Sequence, residues 1–279
     1  MDLKKCFIVG MPNAGKSTYL AAFWYSLVNP TGNKLKLKSV EHEEYLYGLS
    51  QKWSNCEELD RTALGEEAKD LSVNVIDANG HEFKIIMPDL SGETFSNCYE
   101  QRILDDDVVD YIIESDSIML FINVADIIEP VLISNLPLTT ERTNENEGAQ
   151  NKELPIWNAY GDPMQTKIVD LLQIISALKN SQHIKLGIVL SAWDLVEKLS
   201  PEELPQNYVQ KQLPLLWQFL YTNSNEYNTQ YWGVSAQGAD LEYKDALVTL
   251  NPLERIVVID TVGNKHKDIS LPIYRILRD

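Results

Sequence analysis

Residues Gly10-Met11-Pro12-Asn13-Ala14-Gly15-Lys16-Ser17 stand between an apolar run, Lys4 to Val9, and a stretch whose apolar residues recur at helical spacing. This G-x-x-x-x-G-K-[ST] octet is a turn built for a strand-to-helix junction, and few features narrow the choice of fold as much. Its backbone N–H groups and the helix N-terminus converge on a phosphate, the lysine adds a point charge, and the serine hydroxyl is a ligand for Mg²⁺. Lys16 is the expected ligand of the β/γ oxygens and Ser17 of the metal. Gly10, Asn13, Ala14, Gly15 and Thr18 complete the expected cradle. A chain opening on such a junction reads as α/β with parallel strands.

The rest of the sequence keeps that rhythm. Strand-length apolar runs at Lys4 to Val9, Leu71 to Ile76, Glu82 to Met87, Ser117 to Val124, Ile184 to Leu190 and Gln230 to Val234 alternate with amphipathic stretches. They predict three layers: a mostly parallel six-stranded sheet with helices on both faces. Asp77-Ala78-Asn79-Gly80 is a hairpin signal and makes one strand antiparallel. Leu20, Phe23, Leu27 and Val28 mark a first helix that stops at Asn29-Pro30. An extra helix is expected near 41–53, with Tyr45, Leu46, Leu49 and Trp53 on one face. Asp162, as N-cap before Pro163, opens a helix carrying Ile168, Leu171, Leu172, Ile175 and Leu178. Pro214 opens or kinks another. Thr139 to Glu153, apolar only at Ala149, reads as a surface insertion within 129–162. With a short C-terminal extension, 239–279, the chain is expected to be a single domain.

Composition narrows the partners. The formal net charge is −17 in 279 residues, so nucleic acid and anionic membrane surfaces are disfavoured. Cys6, Cys56 and Cys98 are odd in number and lack metal-ligand spacing, which suits a reducing compartment. No apolar run is long enough for a signal-peptide core or a membrane span, so the expected location is the cytoplasm. His42, His81, His183 and His266 are isolated, and Asp105-Asp106-Asp107 with Asp110 reads as a solvated helix face.

The octet alone leaves ATP and GTP open, as it does kinase, ATPase and switch. Asp89-Leu90-Ser91-Gly92 follows a strand, so Asp89 is expected beside the phosphate loop to hold Mg²⁺ and the Gly92 N–H to meet a γ-phosphate. Ser191-Ala192-Trp193-Asp194 ends another strand, where the Asp194 carboxylate can accept from guanine N1–H and N2–H₂, a donor pair that adenine lacks. Ser235-Ala236 ends the sixth, with a backbone N–H for guanine O6. Trp193 is either a stacking face for the base or core packing.

These pieces, in this order, resemble the Ras-like GTPase domain. More narrowly, the chain resembles the bacterial double-GTPase family, first partner, within the translation-factor-related class. The resemblance rests on the octet running into Tyr19-Leu20-Ala21-Ala22-Phe23-Trp24, on Arg61-Thr62 and on Pro88-Asp89-Leu90-Ser91-Gly92-Glu93. It continues in Ser191-Ala192-Trp193-Asp194-Leu195, Leu213-Pro214-Leu215-Leu216 and Gly233-Val234-Ser235-Ala236-Gln237-Gly238. It implies a GTPase fold, a GTP/GDP and Mg²⁺ site, and a switch working with a second GTPase or an effector in a bacterial anti-phage conflict system. A homodimer stays open. Thr62 is then the second hydroxyl ligand of Mg²⁺. Arg61 is either a finger reaching the γ-phosphate in cis or a partner of Glu57, Glu58 or Asp60. Glu93 stands where many GTPases place a water-orienting glutamine, which makes slow turnover the expectation. Ser191-Ala192 replaces the usual Asn-Lys. Asn13 is read either with GTPases that use K⁺ or as a turn residue. Two alternatives remain: a nucleotide-dependent interaction module with little hydrolysis, and an ATP-using P-loop enzyme.

Overall fold

Strand β1 (Lys4–Val9) is fully buried from Cys6 onward, with Cys6 and Ile8 packed into one apolar cluster and Phe7 and Val9 into the other. A strand buried on both faces belongs in the middle of a covered sheet, and that is its position. The computed structural model of the protein describes residues 3–30, 32–59, 71–87, 92–127, 159–180 and 183–278.

Strands β2 (Leu35–Val40), β3 (Leu71–Asp77), β4 (Glu82–Met87), β5 (Ser117–Asn123), β6 (Ile184–Ser191), β7 (Tyr227–Ser235), β8 (Val257–Ile259) and β9 (Lys265–His266) join β1 in one sheet. Its order is β2-β3-β4-β1-β5-β6-β7-β8-β9. The five central strands β4, β1, β5, β6 and β7 run parallel, whereas β2 and β3 on one side and β8 and β9 on the other are attached by antiparallel pairing. The sheet thus has nine strands among the described residues, not six, and its antiparallel part is larger than one strand. The Asp77-Gly80 turn does join β3 to β4 antiparallel.

One face is covered by α1 (Lys16–Val28), α2 (Glu43–Ser54) and α11 (Leu271–Arg278). The other carries α3 (Glu93–Gln101), α4 (Asp106–Glu114), α5 (Met164–Leu178), α6 (Trp193–Leu199), α7 (Pro205–Gln212) and α8 (Pro214–Thr222). The short α9 (Lys244–Leu247) and α10 (Pro252–Arg255) lie between β7 and β8. Leu46, Leu49 and Trp53 of α2 are buried as the spacing implies, and Pro214 occupies the first turn of α8. Three local readings change. Val28 is exposed at the end of α1. Pro163, not Asp162, is the N-cap of α5, because the Asp162 carboxylate accepts from the Tyr99 hydroxyl at 2.7 Å. Strand β5 stops at Asn123, whose side chain accepts from the Ala125 N–H and caps a 3-10 turn. The segment Thr139 to Glu153 lies outside the described residues.

The C-terminal residues belong to the core. Leu271, Ile273, Ile276 and Leu277 are buried, the Tyr19 hydroxyl donates to the Ile269 carbonyl at 2.7 Å, and Lys4 Nζ to the Leu277 carbonyl at 2.7 Å.

Candidate functional site

The parallel strands all end at one edge of the sheet, where ligands bind in such folds. After β1 the chain turns through Asn13 (φ 62°) and Gly15 (φ 87°) into α1. Asparagine tolerates the left-handed region better than most residues, so the turn itself accounts for Asn13. Lys16, 3% exposed, donates from Nζ to the carbonyls of Gly10 (2.7 Å) and Met11 (3.1 Å), which fixes its ammonium inside the loop. Gly92, at the N-cap of α3 with φ 80°, abuts the same loop. A Cβ on Gly92 would sit 2.5 Å from the Met11 carbonyl carbon, 2.6 Å from Pro12 N and 2.7 Å from the Gly10 oxygen. Only glycine permits that approach and that backbone angle. Glu93, next in sequence, is exposed in the first turn of α3.

A second cluster forms at the ends of β6 and β7. Ser191 Oγ donates to the Ala14 carbonyl at 2.8 Å, tying β6 to the phosphate loop. A Cβ on Gly15 would meet that hydroxyl at 2.6 Å. Ala192 follows in a left-handed conformation and starts α6. Asp194 Oδ1 accepts from Ser235 Oγ at 2.8 Å, while Ser235 Oγ accepts from the Gly238 N–H at 3.1 Å. That relay fixes the hydroxyl proton on the carboxylate side and orients Asp194. Trp193 is not part of this cluster. It is 2% exposed, its ring fills the space where Gly233 lacks a side chain, and it meets Tyr208 edge-on at 5.5 Å. Its faces are used by the core, which removes the stacking reading.

Beside the second cluster, bounded on the loop side by Gly15 and Thr18, lies a cavity of about 520 Å³, a size that suits a small-molecule ligand. Gly15, Thr18, Ser191, Asp194 and Ala236 line it as the sequence suggests. Tyr19, Glu57, Glu58, Leu59, Asn123, Gln237, Asp240 and Leu241 line it too, and sequence reasoning passed over these. Asn123 had a signal, a polar residue ending an apolar strand; its Nδ2 donates to the Asn13 carbonyl at 3.0 Å. Glu57 to Leu59 had none, since only the packing of α2 brings them there. Tyr19 is pushed well above the ordinary phenol range by burial, so its hydroxyl is a fixed neutral donor. The cavity reaches the phosphate loop at Gly15 and presents carboxylate acceptors at the Asp194 end, while the Lys16 ammonium lies inside the loop and does not line it. Arg61, Thr62 and Asp89 lie outside the described residues. The expected metal donors, Ser17, Thr62 and Asp89, are hard oxygens that fit Mg²⁺ better than a softer ion.

The sequence model of the family described as Double-GTPase 1 matches residues 7–276. The chain belongs to that family. A Double-GTPase 1 protein is a GTP-binding protein of the GTPase class. Similar solved structures include a signal recognition particle receptor SRb-GTP/SRX complex from Chaetomium thermophilum, 13% identical, covering 84% of this chain and 91% of that one, with a TM-score of 0.44. Another is the GTP-bound Ski7 GTPase-like domain of S. cerevisiae, 19% identical, covering 85% of this chain and 43% of that one, with a TM-score of 0.40. A search of curated proteins finds no match to the Double-GTPase 1 chain. No described helix is long and apolar enough to cross a membrane.

Proposed function

We propose that this protein is a Mg²⁺-dependent switch that binds GTP with its base and sugar in the cavity between Gly15 and Asp194 and its phosphates on the adjoining loop, and hydrolyses it slowly. The observation that carries the reading is the contact of Gly92 with the backbone of Gly10 to Pro12. It joins the segment that follows β4 to the phosphate loop across some eighty residues of sequence, as a γ-phosphate sensor requires. Lys16 and the N-terminus of α1 hold the β- and γ-phosphates, and Asp194, oriented by Ser235, accepts from the guanine N–H pair. The Ala236 N–H faces guanine O6. Ser191 keeps the loop and the base-reading strand in register.

Ser17, Thr62 and Asp89 would hold Mg²⁺, which supplies charge neutralisation between the phosphates. Arg61, by its place in the family resemblance, would supply a cation in cis to offset transition-state charge, an effect worth about 10³ to 10⁵ in rate where it operates. Glu93 accepts from the attacking water. A carboxylate beside the γ-phosphate is electrostatically costly, hence the slow turnover. Release of phosphate frees the segments around Thr62 and Gly92, and a partner, by the family resemblance a second GTPase of an anti-phage system in the cytoplasm, reads the change. A single-turnover assay with labelled GTP and ATP tests this. Hydrolysis of GTP that falls at least about tenfold in Arg61→Ala with unchanged affinity supports it. GTP binding with no hydrolysis would favour a pure interaction module, and equal use of ATP would sink the guanine assignment.

A further inference from the structure

Arg255, the last residue of α10, is 3% exposed, and no described carboxylate pairs with its guanidinium. A buried cation without a counter-ion is costly, and a neutral side chain would fill the space at lower cost. The charge is met by the carboxyl end of α2. Nη2 donates to the carbonyls of Ser54 (3.0 Å) and Trp53 (3.4 Å), Nη1 to Cys56 Sγ, and Cζ lies 4.9 Å from the centre of the Trp53 ring. Helix carbonyl ends carry partial negative charge and aromatic faces attract cations, so the helix terminus stands in for an anion. Among the described residues Nε has no hydrogen-bond partner.

Two walls of the cavity meet on this group. Cys56 leads directly into Glu57 to Leu59, one wall. Gln237, which lines the cavity from the loop after β7, donates from Nε2 to Cys56 Sγ at 3.2 Å. Gly238, at φ 93°, presses against the backbone of Arg255, where a Cβ would lie 2.8 Å from the Arg255 carbonyl oxygen. Its N–H begins the relay through Ser235 to Asp194.

We infer that Arg255 is a positioning residue for the nucleotide: its guanidinium fixes Cys56, on which Gln237 also rests, and so locks the 57–59 wall to the loop 235–238, so that grip on the base end of the ligand depends on it. This rests on the proposed reading of the cavity as a guanine-nucleotide site. The phosphate end does not depend on it, because the hydrogen bonds of Arg255 among the described residues go to Trp53, Ser54 and Cys56.

The test uses the full chain and fluorescent GDP and GTP. Arg255→Met should speed release of both nucleotides by a common factor of roughly ten, the scale of losing hydrogen bonds from a charged group, while single-turnover hydrolysis at saturating GTP holds. Arg255→Lys, which keeps the charge but cannot span the carbonyls and Cys56 together, should fall between. Cys56→Ser, which keeps an acceptor, should release at close to the unmodified rate. Unchanged release in Arg255→Met, or acceleration confined to GTP, overturns the inference. Gln237→Ala cuts the same link from the rim, should also speed release of both nucleotides, and stands in should Arg255→Met fail to fold. Alkylation of Cys56, followed by mass spectrometry against buried Cys6 and Cys98, needs no nucleotide. It should rise roughly tenfold in Arg255→Met or Gln237→Ala, and an unchanged rate overturns the clamp. An unmodified protein that binds no guanine nucleotide overturns the site reading instead.

Discussion

One hydrogen atom on Gly92 holds the place of a side chain that the phosphate loop excludes. Gly92→Ala combines a left-handed backbone with three backbone atoms within 2.7 Å of the new Cβ, so the loop or α3 must move. The expected outcome is GTP affinity weakened by about tenfold or more with GDP affected less, since only the γ-phosphate reaches that position; equilibrium titration of both nucleotides checks it. Asp194→Asn replaces an acceptor pair by one acceptor and one donor while Ser235 still holds the side chain. GTP should bind at least about 100-fold more weakly and xanthosine triphosphate should gain, a reversal of preference that competition binding reads directly. That Gly15, Ser191, Asp194 and Ala236 come to one cavity was legible because each of their motifs ends a strand and is local to a few residues. Asp240, Gln237 and Arg255 were not, because their relation to the cavity exists only after α2 and α10 have docked.

The elements were read well where periodicity is strong and poorly at the margins of the sheet. Strand β2 hides because Leu35 is its one buried residue and Lys36 and Lys38 alternate outward, the pattern of an edge strand guarded by charge. Strands β8 and β9, three and two residues long, carry too little pattern to be seen at all. The β3–β4 hairpin, by contrast, is written in Asp77-Ala78-Asn79-Gly80, and Asp77 closes it. Burial alone would raise this carboxyl, but hydrogen bonds from the His81 ring and from the N–H groups of His81 and Asn79 outweigh it and lower the group from 3.8 to about 2. A carboxyl whose folded value is depressed stabilises the fold above its unfolded value and loses that contribution as pH falls through the folded one. Asp77→Ala should therefore lower the denaturation midpoint at neutral pH, with the gap to the unmodified protein narrowing from about pH 4 and closing near pH 2 in denaturant titrations.

At the scale of the molecule, the sheet has its first strand in the middle and its last helix laid on that strand and on its neighbours β5 and β6. Ile273 of α11 is fully buried in the cluster that also holds Leu20 and Phe23 of α1. Ile273→Ala should cost about 2–5 kcal/mol, as large-to-small changes in a packed core do, read as a lower urea midpoint at unchanged slope. Deleting residues 271–279 should leave one face of β1, β5 and β6 partly uncovered and give an aggregating chain, visible by light scattering. Family membership was legible from the spread of motifs along the whole sequence, whereas the part played by the C-terminal segment in the core was not, because an amphipathic octapeptide does not say which face it will cover. The link between Lys4 and Leu277 has a consequence for synthesis. On the ribosome, β1 is made before β4 and β5, its sheet neighbours, and long before α11. Until those segments follow, its apolar side chains stay without their native cover.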